Sequence, residues 1–303
     1  MGNRKPVRSG GVTGFSMFCI AWSRRFACLA GGLVAMGVCE ASEPLVLGYG
    51  KEAFTVGNEL YATEFADPEN WVVQVADVDS PTKERVTFEA GMLDLYMPDR
   101  GCTAWLNKPF KGPITIVYNV RCPLETEKDD GILATDINNF WHCSDPRNFD
   151  AVLTTTQTHY HGGFLGYHEM RGYYACTGGG RNRTTRFRRY PRWKDGKDIP
   201  HIAVNANDGK KEFLIEPGTW HTIQLVYCDG LLQYIKDGLV VYEFKEGDAI
   251  TVETRDKDNR RQKHEETYTL DKFPAYDEGY FGFRMVGSHH QYKNLKIYEL
   301  VPE

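Results

Sequence analysis

An alternation of period two runs along most of this chain, and no convincing amphipathic helix interrupts it. In Ile114-Thr115-Ile116-Val117-Tyr118-Asn119-Val120, the residues Ile114, Ile116, Tyr118 and Val120 fall on one face, as a half-buried strand requires. Runs of the same kind are Trp71 to Ala76, Val86 to Phe88, Leu93 to Met97, Thr103 to Leu106, Trp220 to Cys228, Leu232 to Lys236, Val240 to Phe244, Tyr280 to Val286 and Tyr292 to Leu300. Asp237-Gly238 sits between two of them, where a two-residue hairpin turn needs positive φ. The 30 Gly, 17 Tyr and 16 Phe agree with this reading, because aromatic side chains suit a pleated surface and glycine suits its turns. The expected fold is all-β: an antiparallel β-sandwich or jelly roll formed by residues 42–303 as one domain.

The first forty residues read differently. Residues 1–25 carry five basic residues and no acid, and the apolar run Phe26 to Val38 leads to Cys39-Glu40-Ala41, a small-x-small cleavage pattern. Residues 1–41 are therefore expected to be an export signal, which places the mature protein in the periplasm or outside the cell. Arg24-Arg25 before Phe26 forms a twin-arginine pattern, and a secretory signal starting at Met17 is the alternative. After residue 45 there is no 18-residue uncharged run, so no integral membrane segment is expected in the mature chain.

Without that segment, 31 Lys plus Arg face 40 Asp plus Glu, a net charge near −9. Against this background Arg181, Arg183, Arg186, Arg188, Arg189, Arg192 and Lys194 fall within fourteen residues. Such a local patch on an acidic protein suits a localised anion and not nucleic acid. Pairing with nearby acids is the ordinary explanation for any single arginine, but seven basic residues so close together favour a binding face. Cys102, Cys122, Cys143, Cys176 and Cys228 remain after the signal, with neither CxxC spacing nor an even count, so most are expected as buried small hydrophobes. The charged stretch Lys245 to Lys272 reads as an insertion forming a solvated hairpin.

Several motifs are excluded. Gly48-Tyr49-Gly50 is followed by no helical pattern, Gly178-Gly179-Gly180 lacks the lysine of a phosphate loop, and neither HExxH nor GxSxG occurs. The Glu-x-Asp-x-x-Glu strand of one class of jelly-roll glycosidases is also missing. His159-Tyr160-His161 beside Gly162-Gly163 reads as a loop tip and not a metal pair. What remains is a polar and aromatic constellation over residues 136–190. Asn138, Trp141 and His142 lie in its first run. In Tyr167 to Tyr174, read as a strand, Tyr167, Glu169, Arg171 and Tyr173 share a face. In Thr184 to Tyr190, Arg186, Arg188 and Tyr190 point one way and Phe187 points into the core. Guanidinium groups pair with carboxylate or sulfate, and flat rings stack on sugars, so this surface suits an acidic polysaccharide or oligosaccharide.

The stretches Ala90 to Leu95, Thr103-Ala104-Trp105 and Phe110 to Ile116 resemble the opening half of concanavalin-A-like (laminin-G-like) jelly rolls. Asp136 to Trp141, Gly172-Tyr173-Tyr174, Thr184 to Tyr190, Gly279 to Arg284 and Lys293 to Tyr298 are similar to a bacterial exported family of that fold. That family is largely of unknown function and is linked to polysaccharide degradation. The resemblance covers most of residues 45–303 and implies fold better than reaction, because this sandwich hosts lyases, hydrolases and lectins alike. The concrete expectation is a polysaccharide lyase, eliminating next to a uronate. Arg171, Arg186 or Asn138 would neutralise the carboxylate, His168, His159 or His161 would act as base, and Tyr173 or Tyr174 as acid, with no cofactor. Trp141, His142, Arg181, Arg188 and Tyr190 complete the expected sugar contacts. A non-catalytic lectin-like module and a glycoside hydrolase are the alternatives. Calcium suits this fold as a structural ion, although no Asp-rich loop specifies it.

Overall fold

The computed structural model describes residues 46–49, 52–76, 84–124, 132–154, 159–206 and 210–302, so the expected export signal lies outside the described residues. Nineteen strands follow one another. The first seven are β1 (Val46–Tyr49), β2 (Glu52–Thr63), β3 (Trp71–Val75), β4 (Arg85–Glu89), β5 (Met92–Leu106), β6 (Phe110–Lys111) and β7 (Ile114–Arg121). Next come β8 (Ile137–Ser144), β9 (Arg171–Gly178), β10 (Thr184–Tyr190), β11 (Trp193–Lys194), β12 (Lys197–Asp198) and β13 (His201–Ala206). The last six are β14 (His221–Cys228), β15 (Leu231–Lys236), β16 (Leu239–Phe244), β17 (Ala249–Arg255), β18 (Arg261–Thr267) and β19 (Glu278–Pro302).

The pairings are antiparallel and build two layers. The front sheet runs β3, the second half of β5, the first half of β19, then β8, β9, β10, β13, β17 and β18. The back sheet runs β4, the first half of β5, the middle of β19, then β7, β14, β15 and β16, with β2 along the end of β19. The sequence separates Leu93–Met97 from Thr103–Leu106, and Tyr280–Val286 from Tyr292–Leu300. In the structure each pair is one long strand that crosses from one sheet to the other. The β5–β19 register slips between Val286 and Ser288, where Gly287 takes φ of 57°, and this bend turns the corner of the sandwich.

Between the sheets lies one apolar core. Phe283 of the front sheet stacks on Tyr292 of the back at 4.0 Å and on Trp71 at 5.6 Å, and Trp141, Tyr173 and Phe187 extend the same inner face. The Asp237-Gly238 turn has φ of 51° and 79°, as the sequence requires. All five described cysteines are buried. The charged insertion is a hairpin of β17 and β18. Only β18 is solvated, because β17 pairs with β13 and puts Ile250 and Val252 into the core. No described helix is long and apolar enough to cross a membrane.

Candidate functional site

Directly opposed residues of an antiparallel pair point to the same side of a sheet. The registers therefore fix what the outer face of the front sheet carries. Gln74 opposes Thr103, Thr103 opposes Arg284, Arg284 opposes Asn138, Asn138 opposes Cys176, and Cys176 opposes Arg186. One step along the strands, Trp105, Gly282, Phe140, Tyr174 and Arg188 form a parallel row.

The connection from β8 to β9 lies over the middle of this face. Its two described turns, Phe149–Leu153 and Phe164–Glu169, are 3-10 helical, so the expected strand through Tyr167 and Glu169 starts only at Arg171. Val152, Tyr160, Tyr167 and Met170 pack onto Trp105, Phe140, Tyr174 and Tyr190, which gives the outer face an apolar core of its own. Gln74 pins this cover. Its amide donates to the Val152 and Thr154 carbonyls (2.8 and 2.6 Å), and its oxygen accepts from Trp105 Nε1 (3.0 Å) and the Tyr167 hydroxyl (2.7 Å). At the start of the cover, burial would raise the Asp145 carboxyl, but hydrogen bonds from Arg147 and Tyr160 hold it well below the usual carboxylate range.

Where the cover ends at Gly162–Phe164, a cleft of about 300 Å³ opens, lined by Asp136, Asn138, Phe164, Tyr174, Arg186 and Arg284 among others. Arg284 is 2% exposed, and its bonds run only to the carbonyls of Met285 and Gly162 (the latter 3.3 Å), with Nε unpartnered. The face of Phe164 lies 5.1 Å from its guanidinium carbon. Arg186 makes no hydrogen bond or ion pair with any described residue and rests against Gly179. The Tyr174 hydroxyl donates to Asn138 Oδ1 (3.0 Å), and burial raises its pKa well above the ordinary tyrosine value, so it stays protonated. Burial also raises Asp136, although Arg186 and Arg284 pull it back. The site thus offers two guanidinium groups without a close ion pair, an aromatic wall and one carboxyl that takes up a proton more readily than usual.

The other expected residues go elsewhere. Tyr173 and Trp141 face the inner core, and the Tyr173 hydroxyl accepts from the Tyr276 amide (2.8 Å), so Tyr173 cannot act as an acid in the cleft. The reason is parity: Tyr173 and Tyr174 are consecutive in a strand and must face opposite ways. His142, at φ of 49°, bonds the Tyr276 carbonyl (2.8 Å), and burial pushes its pKa down to about 4. Arg181 is exposed in the left-handed turn between β9 and β10. Arg171 lines a separate pocket of about 420 Å³ with Trp193, Lys194 and Tyr276. Arg188 and Tyr190 lie buried beneath the cover, and His168 is buried on the cover's underside. The cleft therefore gathers Asn138, Tyr174 and Arg186 but not His168, Tyr173 or Arg171, and the four expected catalytic residues do not meet.

Sequence reasoning did not single out Arg284, Asp136 or Phe164 as site residues. The signal for Arg284 is visible afterwards as a lone charge inside the apolar run Tyr280-Phe281-Gly282-Phe283-Arg284-Met285. Among the described residues, no three His, Cys, Asp or Glu side chains gather as metal ligands.

Residues 97–254 match the profile of a family described as a domain of unknown function, DUF6250, which is just over half of the chain. The chain belongs to that family. The DUF6250 match takes in Asp136, Asn138, Tyr174 and Arg186 but stops short of Arg284. No curated protein matches the sequence. Among solved structures, a Bacillus subtilis protein of unknown function with a galectin-like fold is 14% identical, with a TM-score of 0.55 over 82% of this chain and 100% of that one. A Bacillus subtilis carbohydrate-binding module, CBM66, is 11% identical (TM-score 0.43; 76% and 96% covered), and an endo-β-1,3-glucanase from Pyrococcus furiosus is also 11% identical (TM-score 0.46; 86% and 100%). At 14% identity the galectin-like relative establishes the fold alone: an antiparallel β-sandwich of galectin-like, jelly-roll type.

Proposed function

We propose that this DUF6250 protein binds an acidic saccharide in the Asp136–Arg284 cleft. One observation carries the reading: two guanidinium groups, one of them fully buried, meet at an open cleft where the single carboxyl beside them, Asp136, forms an ion pair with neither. A buried guanidinium cannot shed its proton, so an acidic ligand supplies the charge it lacks. A uronate carboxylate suits Arg186 and Arg284, Asn138 and Asp136 offer hydrogen bonds to sugar hydroxyls, and Phe164 gives a sugar face its apolar contact.

Lyase chemistry is the finer form of this reading. Arg186 and Arg284 would neutralise the uronate, while Tyr174 and Asp136 are the titrating groups beside it, in place of the His168 base expected from sequence. Hydrolysis by a carboxylate pair is less well served, because Asp136 is the one acid among the described residues that line the cleft. The test is calorimetric titration with a polyuronate and with a neutral glucan of similar length. The polyuronate should bind more tightly, and Arg186→Ala should weaken it about 10- to 100-fold, the loss of a charge-assisted hydrogen bond of about 1.5–3 kcal/mol. Equal binding of both polymers, or an unaffected Arg186→Ala variant, rejects the acidic ligand. Ultraviolet absorbance of unsaturated product from the bound polyuronate distinguishes a lyase from a lectin-like protein.

A further inference from the structure

Beneath the cover and beside the cleft, where Phe164 also packs edge-on against His168 (5.0 Å), a second set of charges faces inward. The β10–β13 register carries the side of Arg188 and Tyr190 onto His201, and His201 in turn opposes Glu253 of β17. From above, the cover lowers His168 onto Tyr190, with the rings stacked at 5.5 Å. Arg192 joins from the loop after β10, its amide bonded to the His168 carbonyl (2.7 Å). Arg188 is 9% exposed, Arg192 7%, His201 3% and His168 2%.

Each of these side chains ends in a buried polar atom with no hydrogen-bond partner: Arg188 Nη1, Arg192 Nη2, His168 Nδ1, His201 Nε2 and the Tyr190 hydroxyl. The charges are not shared evenly either. Asp198 pairs with Arg192 (3.2 Å), and Glu253 is shared between Arg192 (4.0 Å) and Arg261 (3.5 Å). Arg188 has no hydrogen bond or ion pair with any described residue. Arg261 is half exposed and solvated, so Arg192 draws on both carboxylates while Arg188 is left with none. The histidines add no charge, because burial first, and then Arg188 and Arg192, push His168 down to about 3 and His201 to about 4. Glu253 Oε2 and Asp198 Oδ2 are also unpartnered, and water can serve them. Water cannot answer the charge on Arg188.

We propose that Arg188, His168, His201 and Tyr190 enclose a binding site for a compact inorganic monoanion of the chloride class. The anion balances Arg188 and ties the cover to the sheet, because its donors come from both: His168 from above, Arg188, Tyr190 and His201 from below. This site is independent of the saccharide reading.

The experiment uses the full chain at constant ionic strength, with bromide replacing a bulky sulfonate. The melting temperature should rise saturably, by roughly 5–10 °C at a hundred times the dissociation constant. Arg188→Met should lose that rise while melting no lower than wild type in sulfonate, since it removes an unpaired buried charge. Arg85→Gln, at an exposed pair on the back sheet, should keep the rise. Crystals grown in bromide should show an anomalous peak within hydrogen-bonding distance of Arg188 Nη1. Water density there, a peak that persists in Arg188→Met, or a melting temperature indifferent to the anion overturns the proposal.

Discussion

Histidines 142, 168, 201 and 290 are all buried, and burial brings their pKa values to about 4, 3, 4 and 4. Unfolded, each titrates near 6.5, so between pH 6.5 and about 4 the unfolded chain takes up protons that the folded one refuses. Folded pKa values below the unfolded ones mean stability that is full above pH 6.5 and is lost on acidification. Each histidine contributes up to about 1.4 kcal/mol per pH unit in that window. Urea unfolding at pH 7, 6 and 5 should show a falling midpoint, and replacing His290 by an apolar residue of similar size should flatten the slope; a midpoint level across that range contradicts this account. The same residue scale shows what was legible in the sequence. Alternation correctly put Arg186, Arg188 and Tyr190 on one face and Phe187 on the other, and the same rule, applied strictly, separates Tyr173 from Tyr174 and Trp141 from Asn138. Arg284 was hidden because nothing local distinguishes it: its role comes from β19 lying between β5 and β8, a contact made across almost two hundred residues of chain.

Among the elements, strands were readable because hydrophobic period and turn chemistry are local, as the Asp237-Gly238 hairpin shows. The β8–β9 cover was not, because its shape is set by the partners it covers. Tyr160, Tyr167 and Met170 find an apolar floor on Trp105 and Phe140, so residues that could alternate in a strand wind instead into 3-10 turns. Gln74 holds that arrangement with four hydrogen bonds. Gln74→Leu leaves these buried groups without partners, at about 1–3 kcal/mol for each group left unsatisfied. The expected result is local: faster amide exchange and earlier proteolysis at residues 145–154 and 159–170, with β14–β16 as protected as before. Uniform loss of protection would show that the cover is not a separate unit of stability.

At the scale of the molecule, β5 and β19 belong to both sheets, so neither layer can unravel without the other. Residues 46–302 should therefore lose near-ultraviolet circular dichroism and tryptophan fluorescence in one coincident urea transition, and two separated transitions would show that the corner at Gly287 is a weak joint. The cover has a further consequence for any polymer that approaches. By filling the centre of the outer face it removes the long trough that a jelly roll otherwise presents, and leaves Arg284 reachable only at the rim beside Gly162–Phe164. A saccharide bound as proposed above would then dock by a terminus or a pendent branch and not along its length, so short oligomers should compete with intact polymer in proportion to their number of chain ends and not to their mass.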